Sequence, residues 1–311
     1  MLDILGKRYF FFALSALLIV PGLIVMVLSG GLPLSIDFEG GTLLDISFAS
    51  GNVPSTEQVL AIYNDLGIED AQVTTAGTAE LAIRSAFMDD TQRANLINEM
   101  QTRLNDTIIV RRADSVGPTI GREVTSRAAM AVGAAALAVI LYMTFAFRGV
   151  QHSIRYGICA IIAMFHDVLV VLSLAAIGGK LFGWQVDSLF LTALLSVIGF
   201  SVQDKVVVFD RIRENSTIYR RLPFETLANH SIVQTLQRSI NTQLMTVEYM
   251  LLALALFGGV TLREFAIILL VGLFMGTYSS IFIAAPILVI WEKKEWRTWF
   301  GRNKETANHT V

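Results

Sequence analysis

Six apolar runs limit what this chain can fold into more than any other feature. They lie at 9–29, 124–147, 156–177, 186–209, 239–257 and 265–291, each close to or beyond the roughly 20 residues that an α-helix needs to cross a hydrocarbon core. In lipid a backbone must satisfy its own hydrogen bonds, so runs of this kind are expected to span as helices. A composition that is 54% hydrophobic and 16% charged, with a mean hydropathy of +0.59, agrees with a multi-span membrane protein. The net charge of -2 leaves no clustered basic face for nucleic acid. The single Cys159 excludes an intrachain disulfide.

The runs are unevenly placed, one alone and then five in quick succession after a polar block of about 95 residues. The first follows Lys7 and Arg8 as a signal peptide would, but it exceeds the roughly 7 to 15 apolar residues of such a segment, and an uncleaved anchor is expected. Lys7, Arg8, Arg148, Arg155, Arg211, Arg213, Arg220, Arg221, Lys293, Lys294 and Arg297 fall in alternate connections, while the others hold only Lys180 and Arg263. The positive-inside rule then puts both termini in the cytoplasm and the polar block outside.

Within that block, 41–48, 71–76, 80–86 and 107–113 read as strands. The segment 55–67 opens with Ser55 and Gln58 at capping-box spacing and places Val59, Ile62, Tyr63 and Leu66 on one helical face. The segment 89–105 begins with acids and aligns Leu96, Ile97, Met100 and Leu104. The order β-α-β-β-α-β predicts a ferredoxin-like α+β fold. The expected division is a first transmembrane helix with a short cytoplasmic N-terminus (1–30), an extracytoplasmic domain (31–123), a five-helix transmembrane domain (124–292) and a cytoplasmic tail (293–311). Glycine pairs starting at 30, 40, 178 and 258 read as turns at span ends and strand starts.

An ionisable side chain within a span costs several kcal/mol and is a functional candidate by default. His166 and Asp167 fall near the middle of the third span, Asp204 and Lys205 in the cytoplasmic part of the fourth, Arg238 at the start of the fifth, and Glu248 deeper in that fifth span. The fourth and fifth spans run in opposite directions, so Asp204 and Arg238 are expected at similar depth. An Asp beside an arginine stays ionised, whereas desolvation drives an isolated one to hold a proton. A helix pair alternating between these arrangements would take up and release protons. The alternatives stay open. Lys205 reads first as a side chain snorkelling to the interface, Arg238 as a positive-inside anchor, Asp204 as half of a static pair with Lys205 or Arg238, and His166 with Asp167 as a static hydrogen-bonded pair or a relay. Glu248 has no assigned partner beyond Lys205. No H-E-x-x-H, G-x-x-x-x-G-K-[ST] or G-x-S-x-G is present, so neither an enzyme nor a metal or cofactor site is expected, and an ion gradient or a partner must supply the energy.

Several motifs together resemble the SecF family, the smaller of the two SecD/SecF subunits of bacterial protein export. IDFEGGTLLDISF, VGPTIGRE at 116–123, HDV at 166–168, GFSVQDKVVVFDRIREN at 199–215, SIVQTLQRSINTQ at 231–243 and GTYSSIFIAAPIL at 276–288 are similar to six family elements in the family's order. The resemblance implies half of a resistance-nodulation-division type transporter that pairs with SecD in a bacterial cytoplasmic (inner) membrane. It implies contact with exported polypeptides and, indirectly, with the Sec channel (SecY, SecE, SecG) and SecA. It also implies proton-pathway roles for Asp204 and Arg238. Two positions depart from the family pattern. Gln203 stands in place of Asn, and Lys205 in place of a small Thr, setting a cation beside Asp204. Either the site is retuned, or Lys205 points away and Glu248 balances its charge; coupling to Na⁺ instead of H⁺ stays open. The expectation is a proton-coupled accessory subunit of protein export. The alternatives are a proton-driven half-transporter exporting small molecules or lipids, and a static scaffold of the channel complex.

Overall fold

The computed structural model describes residues 3–68, 70–76, 80–148, 153–243, 249–258 and 260–295. In chain order the elements are α1 (Arg8–Leu28), α2 (Ile36–Glu39), β1 (Gly41–Phe48), α3 (Thr56–Asp65), β2 (Gln72–Ala76), β3 (Glu80–Ser85), α4 (Asp90–Leu104) and β4 (Ile108–Val116). They continue with α5 (Pro118–Ala146), α6 (Ser153–Phe182), α7 (Ser188–Ile218), α8 (Phe224–Gln243), α9 (Tyr249–Phe257), α10 (Val260–Ser279) and α11 (Ala285–Lys293). One compact unit comprises residues 33–131 with 185–188, and the other the rest of the chain.

The smaller unit holds a four-stranded antiparallel sheet in the order β2-β3-β1-β4. Leu44, Ile46 and Phe48 alternate along β1 and bury one face of it, where they meet Val59, Ile62 and Tyr63 of α3 and Leu96 and Met100 of α4. Both helices start on capping boxes, Ser55 with Gln58 and Asp89 with Gln92, so orphan backbone donors at their first turns are satisfied locally. Gly41 opens β1 at φ 130°, and a Cβ there would lie 2.7 Å from the Ser85 carbonyl oxygen, so only glycine fits. Two features are absent from the sequence expectation. A short α2 forms within IDFEGG, and residues 185–188 join this unit. Val186 donates its N–H to the Pro33 carbonyl at 2.7 Å and accepts from the Ser35 N–H at 2.9 Å, while Ser188 donates its N–H and hydroxyl to Asp37 at 3.0 and 2.7 Å.

The larger unit is helical. Among the described residues, five helices are long and apolar enough to cross a membrane: Leu5–Leu28, Pro118–Ala146, Ile154–Phe182, Ser188–Ile218 and Leu262–Lys293, the last joining α10 to α11 through a π turn at Ser280–Ala284. The run expected at 239–257 falls on the end of α8, on 244–248 outside the described residues, and on α9. α1 packs on α6 through Gly22, where a Cβ would overlap Ser173, whose hydroxyl donates to the Leu18 carbonyl at 2.9 Å. At one end of the bundle Arg8 bonds Glu225 at 2.7 Å and Glu295 at 2.8 Å, and Asn229 Oδ1 accepts from the N–H groups of Ile4 and Leu5 at 3.0 and 3.3 Å. These bonds gather the starts of α1 and α8 and the end of α11. The glycine pair at 178 is not a turn. It lies inside α6, where a Cβ on Gly178 would sit 2.2 Å from the Trp184 ring, so close packing explains it.

Candidate functional site in the membrane helices

On α7 the residues Val197, Ile198, Ser201, Val202, Asp204, Lys205 and Val208 are all buried, a stripe at helical spacing that faces the bundle interior. Three polar side chains therefore occupy core positions, and Ser201 and Lys205, four residues apart, share one side of the helix. Helix α10 can come close because it presents glycines. A Cβ on Gly272 would lie 2.3 Å from Val197 Cγ2, and one on Gly276 would lie 3.3 Å from the Ser201 Cα. The approach brings Ser279 of α10 and Ser201 of α7 onto Asp167 of α6.

Asp167 and Lys205 form a buried ion pair at 2.7 Å, their side chains 1% and 0% exposed. The ammonium also donates to the Ser201 carbonyl at 3.3 Å and to the Ser201 hydroxyl, which in turn donates to Asp167 Oδ2. Ser279 Oγ donates to the same Oδ2 at 2.8 Å, and His166 Nδ1 lies 3.0 Å from Oδ1. The His166 ring stacks on Tyr278 with centroids 6.2 Å apart, and its Nε2 is buried with no hydrogen-bond partner among the described residues. Charge, donors and acceptors are thus matched around Asp167, which is what a buried pair needs to be tolerated at all.

Asp204 is also buried, 6% exposed, but it faces elsewhere: its Oδ2 accepts from Thr277 Oγ1 of α10 at 2.8 Å. Successive residues on a helix point about 100° apart, so Asp204 and Lys205 lie on different sides of α7 although adjacent in sequence.

The structure corrects several expectations. Lys205 does not snorkel; it is fully buried because Asp167, one helix away, neutralises it. Among the described residues its ion-pair partner is Asp167 and not Asp204, and Glu248 lies outside the described residues. Arg238, expected at the start of the fifth span, lies within α8, where it is exposed, and among the described residues it forms no ion pair with Asp204. His166 and Asp167 do bond, but Asp167 is also shared with α7 and α10, and Gln203 is exposed. The hydroxyls of Ser201, Thr277 and Ser279 went unassigned, although the four-residue spacing of Ser201 and Lys205 was a signal available in the sequence.

With this geometry in hand, three comparisons bear on what the chain does. The family model described as "Protein export membrane protein SecD/SecF, C-terminal" matches residues 96–294. A protein translocase subunit SecF of Anaerolinea thermophila is 73% identical over 308 residues, covering 99% of this chain and 100% of that protein. A SecF of Thermobaculum terrenum is 44% identical over the full length of both chains. A fused protein translocase subunit SecDF of Thermus thermophilus is 34% identical over 86% of this chain but only 36% of its own length. A crystal structure of SecDF from Thermus thermophilus, a translocon-associated membrane protein, superimposes with a TM-score of 0.80 at 32% identity, over 94% of this chain and 39% of that one.

Proposed function

The chain belongs to the SecF family of protein-translocase subunits, and from that premise we propose that it couples movement of protons across the membrane to late steps of protein export, with Asp204 as the proton-exchanging group. Its part in Sec-dependent protein export follows from the family. The proton coupling rests on one observation: Asp204 is a carboxylate buried in an apolar helix and held by the hydroxyl of Thr277 from a neighbouring helix. A carboxylate in such surroundings takes up or loses a proton when its partners move. Arg238, exposed on α8, reaches Asp204 only in another arrangement of the helices, and the proposal requires one.

The wider assignment is that of a non-enzymatic subunit with six spans in the bacterial cytoplasmic membrane. Its smaller unit is ferredoxin-like and extracytoplasmic, a placement supported by the element order β-α-β-β-α-β and the distribution of Lys and Arg. The clasp of Arg8, Glu225 and Glu295 supports placing both chain ends on one side. SecD is the expected partner, because a relative carries both subunits in one chain. The Sec channel, SecA and the exported polypeptides are its expected surroundings. The scaffold alternative draws support from the Asp167–Lys205 pair, whose charges and hydrogen bonds are matched within the bundle. Cells lacking the subunit and complemented with this chain decide between the two. If it drives a gradient-dependent step, an uncoupler slows precursor release only where the chain is present. If it is a scaffold, release depends on the chain equally with and without the gradient.

A further inference from the structure

The role given to Asp204 does not explain the fully buried cation next to it in sequence. An ammonium with 0% exposure needs an opposite charge and acceptors for its three protons. Lys205 has both, in Asp167 Oδ2 at 2.7 Å, the Ser201 carbonyl at 3.3 Å and the Ser201 hydroxyl. The carboxylate is equally engaged. Oδ2 takes Lys205, the Ser201 hydroxyl and Ser279 at 2.8 Å, and Oδ1 takes His166 at 3.0 Å. Every one of these partners can donate to an ionised Asp167, from three different helices. Asp204 takes its hydroxyl from Thr277, on another side of α7.

We propose that Lys205 is a tethered counter-cation that keeps Asp167 ionised and outside the proton cycle, so that proton exchange falls to Asp204. Lys205 is then a positioning residue, acting through Asp167 and not through the acid beside it. This rests on the coupling role given to Asp204 above. The titratable groups facing Asp167 are His166 on α6, Lys205 on α7 and, through the His166 ring, Tyr278 on α10. From α1 the Ser15 hydroxyl donates to Tyr278 at 3.3 Å and the Phe11 carbonyl accepts from it at 2.9 Å, neither group carrying charge. Lys205 is therefore the one fixed cation against Asp167 among the described residues. A tethered ammonium holds the carboxylate it touches in the charged form, so Asp167 draws no proton while the pair is intact.

The test is infrared absorption of the purified complex at neutral pH for wild type, Lys205→Thr, Lys205→Arg and the double variant Lys205→Thr with Asp167→Asn. Without its counter-charge Asp167 protonates, so Lys205→Thr gains a carboxylic-acid carbonyl band additional to any that Asp204 gives in wild type, and adding Asp167→Asn abolishes the additional band. Lys205→Arg, which keeps a cation, shows no such band. Gradient-dependent release falls by on the order of tenfold to a hundredfold in Lys205→Thr, as for a displaced catalytic group, and recovers in the double variant. An unchanged Lys205→Thr spectrum, or a new band that persists in the double variant, overturns the proposal. If Lys205→Thr does not fold, the double variant decides: folding restored by removing both charges supports the pair, and failure to fold alike overturns it. If the infrared result holds but Asp204→Asn leaves release unchanged, the coupling role fails while the assignment of Lys205 to Asp167 stands.

Discussion

At the scale of single residues, the membrane site is a matter of hydrogen-bond and charge matching. Asp167 accepts from two serines, one lysine and one histidine, and each donor it loses leaves part of a buried charge unsatisfied. Replacing Ser279 with Ala removes a bond to a charged group and is expected to cost about 1.5–3 kcal/mol, read as a lower midpoint in detergent unfolding. Replacing Lys205 alone breaks a buried pair and costs more, about 3–5 kcal/mol, whereas removing both charges costs less than removing one. The sequence made the candidates legible, because Asp167, Asp204 and Lys205 stand out in apolar runs. It did not make their pairing legible. Asp167 and Lys205 are 38 residues apart on different helices, and which of Asp204 or Lys205 turns toward α6 depends on the rotation of α7, which depth along the helix does not report. Adjacency in sequence suggested a cation next to Asp204; helical geometry separates the two.

At the scale of elements, close helix packing sets the site. α10 can carry Ser279 and Thr277 onto the two acids because Gly272 and Gly276 leave room for α7. Gly272→Leu is expected to force the helices apart and to cost about 1–3 kcal/mol through overpacking, visible as a lowered unfolding temperature. If α10 did not touch α7 at Gly272, the substitution would be silent. In the smaller unit the elements follow local rules, and these were readable from the sequence. The strands and both helices lie near where residue type and 3.6-residue spacing put them, and the Ser55–Gln58 capping box forms as read, whereas the Asp89–Gln92 box was read only as an acidic helix start. Ser55→Ala and Asp89→Ala are each expected to cost about 1 kcal/mol, measured as faster hydrogen exchange in the first turns of α3 and α4. The strand-like pairing of residues 185–188 with 33–37 could not be read the same way, because it joins segments about 150 residues apart and carries no periodic signal.

At the scale of the whole molecule, the chain has the parts a gradient-driven subunit needs. It has long apolar helices, a buried carboxylate in one of them, a second carboxylate neutralised by a tethered lysine, and a separate α+β unit. Asp204 is the part on which the proposed coupling turns. The measurement that reads this most directly is the rate of precursor release by the SecD-containing complex with Asp204→Asn, taken with the proton gradient intact and with it collapsed. The expected result is that the variant with the gradient releases no faster than wild type without it, while its assembly with SecD is unchanged. A variant that still responds to the gradient as wild type does would contradict the assignment of proton exchange to Asp204.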